Sequence, residues 1–166
     1  MENGYQGPGG FQTKKMANYL ISLSHDRMEK QAIPFEIHYE NGDAIDFNQE
    51  GIGVISSLEL KEIPHFIEKA LEETGLHKEY SGFSFGPVID EGKVWVEEGA
   101  VELYILDTKT TLTRKEFFET ILQLAQKALE AVSEFHLKEK DFVDEVWIEQ
   151  VKKMIPQLEA KLKSNL

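Results

Sequence analysis

The amino-acid sequence predicts an α+β fold, a single domain in which an antiparallel β-sheet packs against helices. The middle of the chain has short apolar alternations separated by glycine-containing turns, a pattern typical of hairpins and meanders. The last third carries two long apolar stripes at helical spacing. Because strands do not alternate one by one with helices, we expect five or six strands, arranged as a hairpin plus a three-stranded meander. We expect helices on one face of this sheet, two of them at the C-terminus.

A length of 166 residues fits one domain with a core of its own. Residues 1–12 (MENGYQGPGGFQ) are rich in glycine and lack an apolar period, so they predict a flexible tail before a domain of residues 13–166. The chain has no cysteine, no signal-peptide pattern at its start and no apolar run near the about 18 residues of a membrane span. We therefore expect a cytoplasmic protein.

Residues 13–31 are ambiguous between helix and strand. Their apolar residues fall roughly at helical spacing, whereas Tyr19, Ile21 and Leu23 alternate as they would in a strand. The length of the segment favours a helix, and Pro34 marks the break that follows it.

The stretch FEIHYENGDAIDF (35–47) predicts a hairpin with a definable register. A two-residue loop, Asn41-Gly42, would mix apolar and polar side chains on each face, which a half-buried sheet resists. A three-residue loop, Glu40-Asn41-Gly42, places glycine where a positive φ is needed, and we prefer it. The pairs are then Ile37 with Ile45 and Phe35 with Phe47 on one face, and Glu36 with Asp46 and His38 with Ala44 on the other.

Two elements follow this hairpin. GIGVISS (51–57) predicts a third short strand, and EIPHFIEKALEETG (62–75) predicts a helix with one apolar face. Pro64 fits the first turn of that helix, and Gly75 is a good C-terminal stop.

GFSFGPVIDEGKVWVEEGAVELYILD (82–107) predicts the three-stranded meander. Its turns are Asp90-Glu91-Gly92 and Glu97-Glu98-Gly99. Each begins with an acidic residue and has glycine in third position. The strand AVELYIL (100–106) is apolar on both faces for part of its length, so we expect it in the centre of the sheet.

Two helices complete the chain. TLTRKEFFETILQLAQKALEAV (111–132) starts with a capping box of Thr113 and Glu116 and has a continuous apolar stripe. A second helix is predicted from about Phe142 to Lys163, with a kink or break near Met154 because proline follows at position 156.

The charge of the chain indicates which kinds of molecule it can bind. The formal net charge is −12, and residues 36–107 alone contain 17 Asp and Glu against 4 Lys and Arg. Nucleic acid is excluded as a direct partner by this balance, because phosphates are met by Lys and Arg. A concentrated acidic field attracts a basic protein surface and accelerates the encounter. We expect a basic protein partner, no membrane partner and no cofactor; an acidic surface that serves only solubility is the alternative.

The candidate partner-binding residues are the acidic groups of the predicted hairpin and turns. They are Glu36, His38, Glu40, Asp43, Asp46, Asp90, Glu91, Glu97 and Glu98. An alternative function uses Glu36, His38 and Asp46 as metal ligands or as acid/base groups, since one imidazole with carboxylates can bind a divalent cation. The plainer interpretation, a solvated strand face, is favoured because no second histidine lies at ligand spacing. Glu36 opposite Asp46 is a like-charge pair, which calls for a neighbouring cation or a basic partner.

Two weaker patterns can be set beside this one. TKTTLTRK (108–115) puts hydroxyls and cations at a helix N-terminus, where a phosphate could bind, but an ordinary capped helix start after a solvated loop is favoured. Glu62, His65 and Glu68 share a helix surface and favour a solvated edge over a metal site.

Large aromatic residues form the last candidate set: Phe83, Phe85, Trp95 and Trp147. Most are expected in the core. Any one of them exposed beside the acidic turns would be an anchor for a protein partner.

The layout resembles the small acidic immunity proteins of bacterial toxin systems. The resemblance lies in the hairpin with Asn41-Gly42, EIPHFIEKAL, the meander, and then LTRKEFFETILQLAQKAL. It implies a protein that neutralises a cognate toxin by direct binding, without a cofactor. It does not identify any binding residue in this sequence. The alternatives are the metal-dependent function above and a small-ligand or oligomeric scaffold with a pocket between sheet and helices.

Overall fold

The computed structural model describes residues 19–30, 33–43, 45, 50–140 and 142–164. It confirms an α+β fold with antiparallel sheets and two long helices at the C-terminus. The predicted tail, residues 1–12, lies outside the described residues. None of the described helices is both long enough and apolar enough to cross a membrane.

The strands are β1 (Tyr19–Leu23), β2 (Phe35–Tyr39), β3 (Leu76–His77), β4 (Ser81–Phe85), β5 (Val88–Asp90), β6 (Lys93–Val96), β7 (Ala100–Ile105) and β8 (Thr108–Thr113). The helices are α1 (His25–Lys30), α2 (Gly53–Ser56), α3 (Ile63–Glu72), α4 (Arg114–Glu134) and α5 (Glu145–Lys163), with a 3₁₀ turn at Leu60–Glu62. Strands β3 to β8 follow one another along the chain, and helices α4 and α5 come after them.

The first sheet pairs β1 with β2 in antiparallel register, so the helix predicted over residues 13–31 is wrong at its centre. Only the short helix α1 follows the strand. The far edge of β1 is closed by Gln123 of α4. The amide nitrogen of Gln123 donates to the carbonyl of Tyr19 at 2.9 Å, and the N–H of Ile21 donates to its amide oxygen at 3.1 Å. Pairing with β2 and a side chain 102 residues away in sequence therefore both favour a strand here.

The three-residue loop after β2 is confirmed. The N–H of Tyr39 donates to the carbonyl of Asp43, the N–H of Ile45 donates to the carbonyl of Ile37, and Gly42 has a φ of +97°. The remaining predicted pairs involve Ala44, Asp46 and Phe47, which lie outside the described residues.

The third strand predicted at GIGVISS is wrong, because residues 53–56 form helix α2. A short apolar run cannot distinguish a buried strand from a buried helix by period alone. Gly51 allows the backbone of this segment to pack closely against the backbone of Leu103 and Thr110. A Cβ at Gly51 would lie 2.1 Å from the carbonyl oxygen of Leu103 and 2.6 Å from the nitrogen of Thr110, so only glycine fits.

The second sheet has four strands in the order β3-β4-β7-β8. The central position predicted for residues 100–106 is confirmed, since β7 pairs with both β4 and β8. The predicted three-stranded meander is wrong. The chain between β4 and β7 forms β5 and β6, which pair with each other in a separate two-stranded sheet. The loop expected before α4 is also wrong, because residues 108–113 are strand β8.

The helices follow their sequence signals closely. Helix α3 has Pro64 in its first turn but ends before Glu73, which adopts the left-handed conformation two residues ahead of Gly75. Helix α4 starts with the predicted capping box of Thr113 and Glu116. Helix α5 starts at its N-cap Asp144, later than predicted, and continues through position 156 to Lys163 without a break.

The core lies where α3, α4 and the second sheet meet. The ring centroids of Phe66 and Phe83 are 4.9 Å apart, and those of Phe83 and Phe117 are 5.2 Å apart. All three side chains are fully buried. Trp147 attaches α5 to this core, since its indole N–H donates to the carbonyl of Leu60 at 2.7 Å. The expectation that most aromatic residues are internal is confirmed for Phe83 and Trp147.

Candidate functional site

The two-stranded sheet of β5 and β6, hereafter the β5–β6 hairpin (residues 88–96), exposes large apolar side chains. Ile89 is 62% exposed, Val94 49% and Trp95 54%. Ile89 pairs directly with Val94, so both lie on one face, and a register shift between Val88 and Ile89 leaves Trp95 without a paired residue. Both strands of the hairpin therefore present large apolar side chains to solvent.

Turn chemistry positions the tip of the hairpin. Asp90 pairs with Lys93, which leaves a two-residue turn of Glu91 and Gly92 with φ values of 50° and 74°. Two successive positive φ values give the tight turn whose twist matches that of the flanking strands. The three-residue turn predicted here is therefore wrong by one residue.

The root of the hairpin is held firmly by backbone contacts. The N–H of Gly86 donates to the carbonyl of Ala100 at 2.9 Å, and the N–H of Ala100 donates to the carbonyl of Glu97 at 3.1 Å. A Cβ at Gly86 would lie 1.7 Å from the carbonyl oxygen of Glu97, so the two ends approach as closely as glycine permits. Val96 is buried beside them. A fixed root presents the exposed tip in one orientation.

Four of the predicted site residues lie on this hairpin or at its root: Asp90, Glu91, Glu97 and Glu98. All four are exposed, and none forms an ion pair with a basic group in the part of the chain that the structure describes. Lys93, on the same hairpin, lies over the ring of Trp95 with its ammonium 5.0 Å from the centroid. The hairpin thus combines an aromatic anchor with unneutralised negative charge.

The other described members of the predicted set lie on β2 or in the loop after it. The imidazole Nε2 of His38 lies 3.5 Å from Glu36 Oε1, so the two share a face of β2 as predicted. Glu40 is in the loop, and Asp43 is tied to that loop because its N–H donates to Asn41 Oδ1 at 2.9 Å. Asp46 lies outside the described residues. The described members of the predicted set therefore lie in two parts of the fold, around β2 and around the β5–β6 hairpin.

Arg27 is the cation that sequence reasoning missed beside Glu36. Arg27, Glu36, His38 and Ser56 line one cavity of about 230 Å³. The guanidinium Nη2 of Arg27 donates to the carbonyl of Ser56 at 2.5 Å. Among the described residues, no group of three or more His, Asp and Glu side chains could hold a metal ion. The triad of Glu36, His38 and Asp46 stays a prediction, because one member is not described.

Two of the three cations in the phosphate pattern at residues 108–115, Lys109 and Arg114, contact carboxylates of the protein. Lys109 Nζ lies 3.9 Å from Glu102 Oε1, and Arg114 binds the carboxylate of Glu73. Thr110 Oγ1 accepts the N–H of Ile52 at 3.0 Å. These contacts favour an internal structural role for the segment.

The three residues predicted to share a helix edge, Glu62, His65 and Glu68, have different contacts in the structure. His65 Nδ1 lies 3.6 Å from Glu68 Oε1, whereas Glu62 accepts a hydrogen bond from Lys78 at 2.5 Å. Partial burial raises the pKa of Glu62, but the hydrogen bonds from Lys78 and from the N–H of Glu59 outweigh it and lower the pKa overall.

Among the described residues, Glu73 is the carboxylate with the most hydrogen bonds from cationic side chains. No sequence pattern predicted this role. It accepts hydrogen bonds from Arg114 Nε at 2.9 Å, Arg114 Nη2 at 2.6 Å and Lys161 Nζ at 2.6 Å. Both cations also lie 5.8 Å from the ring centroid of Phe118. Partial burial raises the pKa of Glu73, and the two cations more than offset this and lower it. The group joins the ends of α3, α4 and α5.

A tyrosine pair lies beside the first sheet. The hydroxyl of Tyr39 donates to Glu50 Oε2, and the rings of Tyr19 and Tyr39 are 5.7 Å apart. Burial raises the pKa of both phenols, and the Glu50 carboxylate raises it further. Both phenols therefore stay protonated at neutral pH and act as hydrogen-bond donors.

Comparison of the chain with family models, with curated proteins and with solved structures gives no match. The resemblance to immunity proteins stays a prediction. The functional argument therefore depends on the geometry and charge of the β5–β6 hairpin and of the surfaces around it.

Proposed function

We propose that this protein is a non-enzymatic binding protein that captures a basic protein through the β5–β6 hairpin. The observation that carries the proposal is the exposure of Trp95 near Asp90, Glu91, Glu97 and Glu98, four carboxylates that form no ion pair within the described residues. Trp is the side chain most enriched among residues that dominate binding energy. Carboxylates around it steer a positively charged partner and exclude a negatively charged one.

The surface has the form of an interface core with a charged rim. Ile89, Val94 and Trp95 supply apolar area on both strands of the hairpin, and the acidic residues lie at its tip and root. The firmly held root lowers the conformational entropy that binding would cost. Glu36 and His38 on β2, with Glu40 and Asp43 in the loop after it, provide a second contact area in the proposal.

In its specific form, the protein is an immunity protein of a bacterial toxin system and acts in the cytoplasm. It neutralises a basic toxin, such as a nuclease, by covering the positive surface that the toxin needs for its own substrate. The concentration of acidic residues in 36–107 supports this form, and so does the layout resemblance. A toxin encoded directly beside the gene would be the natural partner to test by co-expression and growth rescue.

A retention experiment with matched variants tests the binding function. Wild-type protein, Trp95→Ala and the charge variant Asp90→Asn/Glu91→Gln/Glu97→Gln/Glu98→Gln are immobilised and exposed to cell extract at low and high salt. We expect the wild type to retain basic proteins at low salt and to release them at high salt, because screening weakens exposed charge pairs. Both hairpin variants should retain far less.

Leu106→Ala is the control, because Leu106 is 64% exposed at the β7–β8 turn and lies outside the hairpin. It should retain the same proteins as the wild type. Retention of acidic or salt-insensitive partners, or retention that survives Trp95→Ala, would contradict the proposal.

A further inference from the structure

A second concave surface lies between β1, β8 and the helices α4 and α5, and none of the functional residues predicted from sequence except Glu40 lines it. This surface, hereafter the acidic groove, has a volume of about 440 Å³. That volume falls within the roughly 300–1,000 Å³ typical of ligand pockets. Its apolar walls are formed by Leu20, Leu112, Leu122 and Leu162.

The walls include apolar surface that the fold leaves uncovered. Leu20 is 44% exposed on β1, and Leu122 and Leu162 are only partly buried against the core. The floor, in contrast, is fixed. The side-chain amide of Gln123 donates to the carbonyl of Tyr19 and accepts the N–H of Ile21. The groove is therefore present before any ligand arrives.

Three carboxylates line the groove, and no ammonium or guanidinium group lines it in the part of the chain that the structure describes. The carboxylates are Glu40, Glu116 and Glu119. One oxygen of Glu116 accepts the N–H of Thr113 at 2.8 Å as part of the helix cap, which leaves its second oxygen as a further acceptor. Glu119 is exposed on α4. The groove thus has apolar walls under a negative rim.

We propose that the acidic groove receives a lysine or arginine side chain of the basic partner, an inference that rests on the proposed function. Such a side chain has an apolar stem and a charged head. The stem matches the leucine walls, and the head meets Glu116 and Glu119 at the rim. An apolar side chain would leave the rim carboxylates without a counter-charge, and an acidic one would be repelled.

Small probes test the groove without the partner. Nα-acetyl-lysine amide and Nα-acetyl-arginine amide are titrated into the full chain labelled at leucine methyl groups. We expect saturable NMR shifts in the methyl signals of Leu20, Leu112, Leu122 and Leu162. Nα-acetyl-norleucine amide has a similar stem without the charge and should bind more weakly.

Matched variants separate the two parts of the site. Glu119→Gln should weaken lysine-probe binding about threefold, the size of one exposed ion pair. Leu20→Ala should weaken binding of the charged and uncharged probes alike. Leu106→Ala, an exposed change outside both proposed binding surfaces, should leave both unchanged.

Equal binding of the norleucine and lysine probes would overturn the proposal, because the groove would then not recognise charge. The absence of any saturable shift would overturn it too. Because the probes require no partner, either outcome is distinguishable from a failure of the β5–β6 hairpin to retain a basic protein.

Discussion

Glu73 and the four carboxylates of the β5–β6 hairpin carry the same charge but occupy opposite environments. Glu73 is bound by Arg114 and Lys161 through three hydrogen bonds of 2.6–2.9 Å. The hairpin carboxylates are exposed and form no ion pair within the described chain. An acidic residue in the sequence can therefore serve stability or binding, and only its three-dimensional neighbours decide which. Substitutions in the two regions should separate these roles.

The largest effect on stability is expected at Glu73. Glu73→Gln keeps the size of the side chain but leaves Arg114 and Lys161 without their shared counter-charge. We expect the free energy of unfolding to fall by about 1–3 kcal/mol, because partly buried charge-assisted hydrogen bonds are lost. Urea denaturation would measure it. Glu91→Gln, the matched change in the hairpin, should alter stability by less than about 0.5 kcal/mol. Equal losses would remove the distinction between the two regions.

The pH dependence of stability should follow the same carboxylate. The pKa of Glu73 is lowered in the folded protein relative to its ordinary value of 4.5. Its contribution is therefore present above pH 4.5 and is lost as the pH falls through the lower folded pKa. Below pH 4.5 the wild type should lose stability more steeply than Glu73→Gln, as followed by thermal unfolding at successive pH values. Parallel curves would show that Glu73 contributes nothing to acid sensitivity.

A smaller effect on stability is expected for the anchor residue of the hairpin. Trp95→Ala removes a side chain that is 54% exposed, so we expect a loss of less than about 1 kcal/mol, mainly from the contact with Lys93. Thermal unfolding gives this value, and the retention experiment gives the accompanying loss of binding. A large loss of stability would mean that Trp95 serves the fold, and the proposed anchor would need to be sought elsewhere.

The smallest effect is expected from divalent cations. If the β2 residues act as a contact area for protein, Zn²⁺ or Mn²⁺ should leave the Tm of the wild type and of His38→Ala unchanged. A metal-dependent rise in Tm that disappears in His38→Ala would favour the alternative site of Glu36, His38 and Asp46.

Features decided by neighbouring residues could be predicted from the sequence. The capping box of Thr113 and Glu116 and the loop ending in Gly42 depend on a few adjacent side chains, and both are observed. Features decided by distant contacts could not. Strand β1 depends on Gln123, and the pairing of β4 with β7 bypasses the intervening hairpin. Helix α2 has an apolar sequence that suits a buried strand equally well.

The candidate site shows the same division. Turn chemistry located Asp90, Glu91, Glu97 and Glu98 correctly at the ends of strands, because glycine and acidic residues mark turns. The exposure of Trp95 required the structure, since an aromatic residue in an alternating strand is more often internal. Arg27 near Glu36 also required it, because the two belong to different elements.

The closure of β1 by Gln123 has a consequence for the order of events during synthesis. Residues 19–23 leave the ribosome about a hundred residues before the amide that completes their hydrogen bonding. Until α4 emerges, the backbone of this strand has an open edge that can pair with other extended chains. Gln123→Ala should therefore reduce the yield of protein recovered without aggregation more than it reduces the stability of protein that has already folded.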